Sequence, residues 1–542
     1  MMAEKKKTKK KEETPRWRVL ACDGVAEEGL ALLKADPEIE TVISPSLSPA
    51  ELREKLPGFH ALIVRSQTKV TAEALETARD LKIIARAGVG VDNVDVPSAT
   101  HRGIVVCNSP SGNTMAAAEH TWALLLALSR NISQADVSMK KGEWKRSKFV
   151  GVELYGKTLG VVGLGKIGGE VARRGLAFGM RVLGCDPFVS PEQAQRLGVT
   201  LVELPEVLAE ADYMTLHLPF TKGTANLIDA AALARCKPGM RLINCSRGGI
   251  VEEAALAAAL QEGKLAGAAC DVFEKEPPEG SPLLAAPNII LTPHLGASTQ
   301  EAQIKVAVDV AEQVVEVLHG KPARSAVNVT GISPELLALL GPYLELAEKI
   351  GSLHAQLLEG QLEEAELTFS GDLAENETAP LTTAFLKGLL ERSREEPVNM
   401  VNARIIAESL GLRIREITTS GAEDYSSLLS ACVKTEKEQR AIAGTLFGKK
   451  EGRIVRFDDY PIDFSPSGHM LFTLHHDRPG VIGAVGNLLG DNKINIAAMY
   501  VGRRRPGDLA LMVLAVDSPI SAPLIRRIDA LPDMVRSQLV EL

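Results

Sequence analysis

The sequence predicts an α/β protein with two doubly wound parallel sheets, a further α/β unit and a C-terminal ferredoxin-like unit. Three observations predict this architecture. With 542 residues, the chain is too long for one hydrophobic core. Short apolar runs alternate with helical stretches in residues 16–107 and again in residues 158–294, which is the order of βαβ units. Residues 469–542 follow the order β-α-β-β-α-β, which is typical of the ferredoxin-like fold.

The composition is that of an ordinary globular protein, with 45% hydrophobic residues and a formal net charge of -8. This balance argues against broad attraction to nucleic acid or to an anionic membrane. No apolar run follows the N-terminal lysines, and no stretch is apolar enough to span a bilayer, so we expect a cytoplasmic protein. The 7 cysteines are scattered without metal-ligand spacing, so we expect reduced, mostly buried thiols and no metal site.

A local exception is the basic segment "KKKTKKKEE", in which lysines surround Thr8. It has no apolar face, so burial cannot offset the cost of ordering it. We expect a disordered tail over residues 1–15. Binding of this tail to nucleic acid or to an anionic surface is the alternative.

Two helices organise the catalytic half of the chain. Residues 114–131 form a helix too apolar for a surface position, which marks the boundary between the first two units. The helix at 298–320 is long enough to carry the chain back to the first unit. The expected domains are a discontinuous one over 16–110 and 295–330, a second over 111–294, an α/β unit over 331–465 and the ferredoxin-like unit over 469–542.

A glycine motif opens the second unit. In "VVGLGKIGGEVARR", Gly163, Gly165 and Gly168 follow a predicted strand and open a helix, the context of a Rossmann-like dinucleotide site. Gly163 permits the tight turn, Gly165 lets the backbone approach a pyrophosphate, and Gly168 allows close packing of helix on strand. The next strand, "RVLGCDP", ends in Asp186, which can accept hydrogen bonds from a ribose and repel a 2'-phosphate. NAD is therefore favoured over NADP.

Three polar residues follow successive strands of the second unit, namely Arg247, Glu276 and His294. Carboxyl ends of parallel strands line the ligand crevice of such a sheet. Oxidising a hydroxyl by hydride transfer needs a base, and histidine suits that task near neutral pH. Glu276 would favour the imidazolium and orient the ring. Arg247 would bind a substrate carboxylate bidentately. Each residue taken alone would read as a loop or surface group, so the prediction rests on the three together.

These residues resemble the D-isomer-specific 2-hydroxyacid dehydrogenase family, through "NCSRGGIVEE", "DVFEKEPP" and "LTPHLGAST". The resemblance implies that Arg247, Glu276 and His294 are catalytic. It also implies the following NAD-binding residues: Gly163, Gly165, Lys166, Ile167, Gly168, Asp186, Leu218, Cys245, Ser246, Arg247, Asp271, His294, Leu295, Gly296 and Ala297. The implied substrate-binding residues are Arg65, Asn113 and Arg247, together with Trp144 and Arg146 reaching across a dimer. Arg86 is a weaker candidate.

The rest of the chain narrows the expected substrate, because small members of the family end near residue 330 of this numbering. Residues 331–465 resemble the intervening domain of its long members, and residues 469–542 resemble an ACT domain, a unit that binds amino acids. The resemblance implies oxidation of 3-phospho-D-glycerate to 3-phosphohydroxypyruvate at the entry to L-serine biosynthesis, by a homo-oligomer. His475, Asp477 and Asn495 match positions that bind L-serine in regulated relatives.

Two alternatives stay open on the motifs alone. One is a reductase of glyoxylate, hydroxypyruvate or 2-oxoglutarate. The other is a corepressor-like protein that uses the fold as an NAD-sensing module. An ACT unit argues against both, because neither needs an amino-acid-binding tail.

Overall fold

The computed structural model describes residues 16–329, 334–393, 397–421, 424–448 and 450–542. The predicted disordered tail over residues 1–15 and the predicted domain boundary at residues 330 and 331 lie outside the described residues. Within the described ranges, none of the helices is long and apolar enough to cross a membrane.

A five-stranded parallel sheet forms the first unit. Its strands are β1 (Trp17–Ala21), β2 (Ile39–Ile43), β3 (Ala61–Val64), β4 (Ile83–Arg86) and β5 (Val105–Asn108). The helices between them are α1 (Glu27–Ala35), α2 (Pro49–Lys55), α3 (Ala72–Leu75) and α4 (Val96–His101). The strand order is β2-β1-β3-β4-β5. The central strand β3 is buried along its whole length, as expected for a parallel sheet with both faces covered.

A seven-stranded parallel sheet forms the second unit. Its strands are β6 (Thr158–Val162), β7 (Arg181–Cys185), β8 (Thr200–Leu201), β9 (Tyr213–Leu216), β10 (Arg241–Asn244), β11 (Gly267–Cys270) and β12 (Ile289–Leu291). Its helices are α5 (Thr114–Ser129), α6 (Ile132–Lys140), α7 (Lys166–Ala177), α8 (Pro191–Leu197), α9 (Leu204–Glu210), α10 (Ala230–Arg235) and α11 (Glu253–Gln261), with 3-10 helices at Arg146–Phe149 and Pro282–Ala285. The order β12-β11-β10-β9-β6-β7-β8 reverses between β6 and β9, which opens a ligand crevice at their carboxyl ends.

Helix α12 (Gln300–Leu318) leaves the second unit and packs on the first. Gly29 of α1 allows this contact, because a Cβ atom there would lie 2.6 Å from the carbonyl oxygen of Ala307. The buried side chain of Gln313 donates a hydrogen bond to the backbone oxygen of Asn108 at 3.1 Å. This packing supports the discontinuous first domain that we predict.

The third unit is a six-stranded mixed sheet covered by long helices. Its helices are α13 (Pro334–Leu357), α14 (Ala379–Leu390) and α15 (Ala403–Ser409), with 3-10 helices at Asp372–Glu375 and Glu391–Ser393. Its strands are β13 (Leu362–Gly371), β14 (Arg413–Thr419), β15 (Ser427–Thr435), β16 (Gln439–Phe447), β17 (Glu451–Phe457) and β18 (Tyr460–Phe464), in the order β14-β13-β15-β16-β17-β18. A side-chain amide joins it to the first unit, since Asn399 Nδ2 donates to the backbone oxygen of Gly103 at 2.9 Å.

The C-terminal unit has the predicted β-α-β-β-α-β order. Its elements are β19 (His469–His476), α16 (Val481–Asp491), β20 (Ile496–Arg503), β21 (Leu509–Val516), α17 (Ala522–Asp529) and β22 (Met534–Glu541). The antiparallel sheet has the order β20-β21-β19-β22. Its helix-free face shares a core with the third unit, where the ring of Phe472 lies 5.5 Å from that of Phe457 and 5.8 Å from that of Phe464. The two C-terminal units are therefore packed together.

Candidate active site

The glycine loop after β6 has the geometry that the motif predicts. Gly163 adopts φ +93°, and a Cβ atom there would lie 2.4 Å from the backbone oxygen of His217. A Cβ atom on Gly168 would lie 1.9 Å from the backbone oxygen of Gly163. Gly165 differs from both, because a Cβ atom there would meet no atom within 4 Å. The first and third glycines thus pack the turn, whereas the space beside Gly165 is free for a pyrophosphate at the start of α7.

Asp186 closes the other side of this loop. It follows β7, and its carboxylate accepts backbone N–H groups from Leu164 at 2.8 Å and from Phe188 at 2.9 Å. These bonds fix the carboxylate against the glycine loop, where a ribose would lie in a nucleotide complex of this fold. The residues of this loop therefore fit a dinucleotide without a 2'-phosphate.

The remaining residues of the implied nucleotide set lie around the same crevice. Lys166 opens α7, and its ammonium group donates to the hydroxyl of Ser111, which lies between β5 and α5. Cys245 follows β10, and burial raises the pKa of its thiol above the usual range. The hydroxyl and the backbone N–H of Ser246 both bond to the Asn244 side-chain oxygen. Three further members of the set are partly exposed, namely Ile167, Leu218 and Ala297.

His294 and Glu276 form a hydrogen-bonded pair at the carboxyl ends of β12 and β11. The distance from His294 Nδ1 to Glu276 Oε2 is 2.8 Å, and the other carboxylate oxygen accepts the backbone N–H of Phe273 at 3.2 Å. Burial alone would raise the pKa of Glu276, but the hydrogen bond and the positive charge offered by His294 outweigh it and hold that pKa below its ordinary value. The carboxylate is therefore ionised at neutral pH and accepts a hydrogen bond from the Nδ1–H group.

Asp271 supports the turn that carries His294. The Asp271 carboxylate is fully buried and accepts the backbone N–H groups of Leu295 at 2.7 Å and of Gly296 at 2.8 Å. It also accepts the hydroxyl of Thr292 at 2.6 Å and lies 3.1 Å from Nε2 of His120. Burial raises the pKa of this carboxyl, but the hydrogen bonds lower it by more than burial raises it. The pKa of Asp271 therefore lies below its ordinary value. No local sequence pattern indicates His120, because α5 brings it to the site from a distant part of the chain.

Arg247 lies next to this pair and reaches the first unit. Its Nε donates to Asp92 Oδ2 at 3.0 Å, and its Nη1 donates to the backbone oxygen of Ser246 at 2.8 Å. The glycine that follows it is required for packing, because a Cβ atom on Gly248 would lie 1.8 Å from the backbone oxygen of Phe273. The arginine turn is therefore pressed against the loop that carries Glu276.

Two more arginines face Arg247 from the first unit, which makes the cleft strongly cationic. Arg86 ends β4, and burial lowers its pKa to about 10, helped by the charges of Arg247 and Arg65. Within the described residues, Arg86 Nε is buried without a hydrogen-bond partner. Arg65 donates its backbone N–H to Asp23 Oδ2 at 2.8 Å. Three guanidinium groups thus gather at one cleft, and this arrangement suits a polyanionic ligand.

The other implied substrate residues have different positions. Asn113 precedes α5, and its Oδ1 is buried without a partner among the described residues. Trp144 is 74% exposed. Arg146 is exposed and begins a 3-10 helix. Trp144, Arg146 and Val150 line one open groove on the surface of the second unit.

The three residues implied for an effector lie at two ends of one sheet. His475 is the last residue but one of β19 and pairs with Ala510, and burial lowers the pKa of its imidazole. The next candidate, Asp477, accepts Arg503 Nη1 at 3.1 Å, a bond that lowers the pKa of its carboxyl. Asn495 precedes β20 at the opposite end, where it donates to Asp517 Oδ2 at 2.6 Å.

The separation of these ends is set by the strand register. His469 and Ile496 both pair with Val516, whereas His475 pairs with Ala510. The six residue steps from His469 to His475 span about 20 Å at roughly 3.3 Å per residue. One chain therefore brings His475 and Asp477 together but does not bring Asn495 to them.

Family comparisons match three consecutive parts of the chain. Residues 122–296 match the NAD binding domain of D-isomer specific 2-hydroxyacid dehydrogenases. Residues 339–458 match the D-3-phosphoglycerate dehydrogenase intervening domain, and residues 469–533 match the ACT domain.

Relatives of similar length carry one common name. The D-3-phosphoglycerate dehydrogenase of Synechocystis sp. is 48% identical over 94% of this chain and 92% of its own length. The enzyme of the same name from Archaeoglobus fulgidus is 45% identical over 97% of this chain and 100% of its own.

Solved structures match the catalytic half. D-lactate dehydrogenase from Aquifex aeolicus, complexed with NAD and lactic acid, is 30% identical, with a TM-score of 0.52 over 57% of this chain and 98% of its own. NAD-dependent formate dehydrogenase from Staphylococcus aureus, in complex with NAD, is 30% identical, with a TM-score of 0.53 over 58% of this chain and 100% of its own.

Proposed function

The chain belongs to the family of D-3-phosphoglycerate dehydrogenases, and from this premise we propose how its residues carry out the family's reaction. That reaction is the NAD-dependent oxidation of 3-phospho-D-glycerate to 3-phosphohydroxypyruvate, the first step of L-serine biosynthesis. The observation that carries the proposal is the hydrogen-bonded pair of His294 and Glu276, whose loop packs against the turn of Arg247 beside Arg86. The pair can remove a hydroxyl proton, and the arginines can hold a substrate with a carboxylate and a phosphate.

His294 is the general base in this proposal. Because Glu276 is ionised and can only accept, the 2.8 Å bond places the proton on His294 Nδ1 and leaves Nε2 free to take the hydroxyl proton of the substrate. Glu276 then stabilises the imidazolium that forms. NAD, when bound, accepts the hydride from C2 of the substrate.

The arginines and Asn113 bind the anionic groups of the substrate. Arg247 clamps the carboxylate, because the glycine that follows it packs on the backbone of Phe273 in the loop that carries Glu276. Arg65 and Arg86 come from the first unit and offer charge to the phosphate. Asn113 adds a side chain whose oxygen has no partner in the described part of the protein.

The alternative dehydrogenase functions are less well supported. The solved lactate and formate dehydrogenases cover only 57% and 58% of this chain, whereas the phosphoglycerate dehydrogenases cover 94% and 97% of it. A corepressor-like binding module has no need for the paired His294 and Glu276.

The protein acts as a homo-oligomer in this proposal, and the groove of Trp144, Arg146 and Val150 belongs to the contact between copies. Trp144 and Val150 are 74% and 79% exposed, which is unusual for large apolar side chains that share one groove. Such a contact would let Trp144 and Arg146 reach the neighbouring cleft.

We place the protein in the cytoplasm, in line with its cysteines, which are all free.

L-serine is the proposed effector. Asp477 can accept an ammonium group, and Asn495 can both donate and accept. Because these residues lie at opposite ends of the sheet, the proposed serine site forms between the ACT units of two chains, with His475 and Asp477 from one and Asn495 from the other. The domain limits proposed from the sequence accommodate this arrangement, since residues 469–542 contain all three.

A steady-state NADH assay tests the proposal. Purified protein is supplied with NAD and 3-phospho-D-glycerate, with and without L-serine, and separate reactions test D-lactate, and NADH with glyoxylate or 2-oxoglutarate. We expect turnover on 3-phospho-D-glycerate at least 10²-fold above the rates on these other substrates, as expected for a site whose arginines must be paired with a phosphate. Equal or higher kcat/KM on one of the other substrates would overturn the substrate assignment.

A further inference from the structure

Asp92 and Arg247 form an ion pair across the cleft between the first two units. Arg247 follows β10 of the second unit, and Asp92 lies in the loop after β4 of the first. The distance from Arg247 Nε to Asp92 Oδ2 is 3.0 Å, and the Asp92 side chain is 68% exposed. A pair this exposed contributes little to folding stability, so its consequence is to be sought in the orientation of Arg247.

The loop that carries Asp92 is shaped around the guanidinium. A Cβ atom on Gly90 would lie 2.2 Å from Arg247 Nη2 and 2.6 Å from Asp92 Oδ2. Asn93, which follows Asp92, fixes the loop, since its Nδ2 donates to the backbone oxygens of Arg65 at 2.8 Å and Thr68 at 2.7 Å. The loop that carries Asp92 is therefore held in place by the hydrogen bonds of Asn93. The absence of a side chain at Gly90 leaves room for the guanidinium of Arg247.

The contacts of Arg247 fix its plane and leave donors free. Nε is bonded to Asp92 and Nη1 to the backbone oxygen of Ser246. A planar guanidinium held on these two atoms cannot rotate about its last bonds, yet it keeps the two hydrogens of Nη2 and one of Nη1. These are enough for a fork-like bond to a carboxylate.

Asp92 is a carboxylate among cations. Arg86 and Arg65 face Arg247, and the charge of Asp92 opposes the effect of these cations on Arg86. The other nearby carboxylate, Asp23, is engaged by the backbone N–H groups of Arg65 and Thr68 and by the Thr68 hydroxyl. Asp92 is thus the carboxylate that bonds to Arg247 and holds it near the other two cations.

We propose that Asp92 is a positioning residue that acts through Arg247: it holds the guanidinium in the orientation that binds the substrate carboxylate. This inference rests on the proposed clamp function of Arg247. It predicts that loss of Asp92 weakens substrate binding and leaves the proton-transfer pair intact. It also predicts that Asp92 has no effect once Arg247 is absent.

A double-mutant cycle tests this with Asp92→Ala, Arg247→Ala and the double variant. We expect Asp92→Ala to raise the KM for 3-phospho-D-glycerate about 10-fold, with kcat changed less than about threefold and the Kd for NADH unchanged. In the Arg247→Ala background the same substitution should change KM less than about twofold. Asp92→Asn, which keeps an accepting oxygen, should recover part of the loss.

Asp80→Ala is the matched control, because it removes an exposed carboxylate from the same unit, and it should leave KM unchanged. An unchanged KM in Asp92→Ala, or an equal loss with and without Arg247, would overturn the positioning role. If Arg247→Ala itself leaves KM and kcat unchanged, Arg247 does not bind the substrate carboxylate, and the proposed function is wrong on this point. If Arg247→Ala impairs the enzyme but the effects of the two substitutions add, only the positioning role of Asp92 is wrong. NADH binding and thermal melting show whether each variant is folded. If Asp92→Ala is not folded, Asp92→Asn replaces it in the double-mutant cycle.

Discussion

The imidazole of His294 and the carboxylate of Glu276 are joined by a 2.8 Å hydrogen bond between Nδ1 and Oε2. The two residues follow different strands, 18 positions apart in the chain. Because the pKa of Glu276 is held below its ordinary value, the carboxylate is charged and the Nδ1 atom is the donor. This relationship fixes which nitrogen of His294 can act as a base, and the first two predictions follow from it.

Replacement of the base should remove proton transfer and spare the nucleotide site. His294→Ala is expected to lower kcat by roughly 10²-fold or more, with little change in the Kd for NADH measured by fluorescence titration. His319→Ala is the matched control, because His319 also lies 2.8 Å from a carboxylate, that of Asp36, but it follows α12 instead of a strand of the second unit. Near-wild-type turnover in His294→Ala would exclude this residue as the base.

Removal of the charge of Glu276 should slow the same step. Glu276→Gln keeps an oxygen that can accept the Nδ1 proton but loses the charge that stabilises the imidazolium, so kcat is expected to fall by roughly 10²-fold while KM changes little. Combined with His294→Ala, the substitution should add little further loss, because the two residues act as a unit. A fully additive double variant would contradict the pairing.

The catalytic residues were accessible to sequence reasoning for a simple topological reason. Arg247, Glu276 and His294 each follow a recognisable strand, and parallel strands present their carboxyl ends on one side. Asp92 and His120 were not accessible, because their contacts with Arg247 and Asp271 join distant segments through tertiary packing. No local pattern encodes such contacts.

For the fold as well, local patterns were predictable from the sequence and tertiary relationships were not. The apolar patterns gave the buried strands, such as β3, and the complete order of the C-terminal unit. The strands β2 and β8 were missed, because β2 is partly exposed and β8 has only 2 residues. The end-to-end separation of Asn495 from His475 also escaped prediction, since it depends on strand register, which the spacing of the residues does not reveal.

The glycine loop allows a selective test of cofactor binding. Gly165→Ala places a methyl group where the protein has no atom within 4 Å, so the fold should be unaffected, but the group would occupy space that the pyrophosphate needs. The Kd for NADH is expected to rise about 10-fold or more, with an unchanged melting temperature. Gly169→Ala is the control, because its Cβ atom would lie 3.8 Å from the backbone oxygen of Leu164, which is an ordinary contact. An unchanged Kd in Gly165→Ala would remove this loop as the pyrophosphate site.

Asp271 should make stability depend on pH in a defined direction. Its pKa is lowered in the folded protein, so its contribution is present above the unfolded value of about 3.9 and is lost as the pH falls through the lower folded value. Asp271→Asn is expected to cost about 1–3 kcal/mol of unfolding free energy at pH 7, and less towards pH 3. Thermal melts between these pH values check this. Asp136→Asn, at an exposed pair with Lys140, should show no such trend, and a constant difference for Asp271→Asn would contradict the assignment.

Mixed oligomers can decide whether two chains form the serine site. Asp477 and Asn495 lie at opposite ends of one sheet, so Asp477→Ala and Asn495→Ala should each abolish inhibition by L-serine when present in every chain. At an interface between one chain of each variant, one of the two serine sites carries both wild-type residues, because the Asn495→Ala chain supplies Asp477 and the Asp477→Ala chain supplies Asn495. Partial inhibition should therefore return, measured as NADH formation by doubly tagged, purified oligomers. Oligomers of one variant with two different tags are the control. If inhibition is absent from the mixed oligomer but present in the wild type, each site lies within one chain, and the proposed arrangement of the ACT units is wrong.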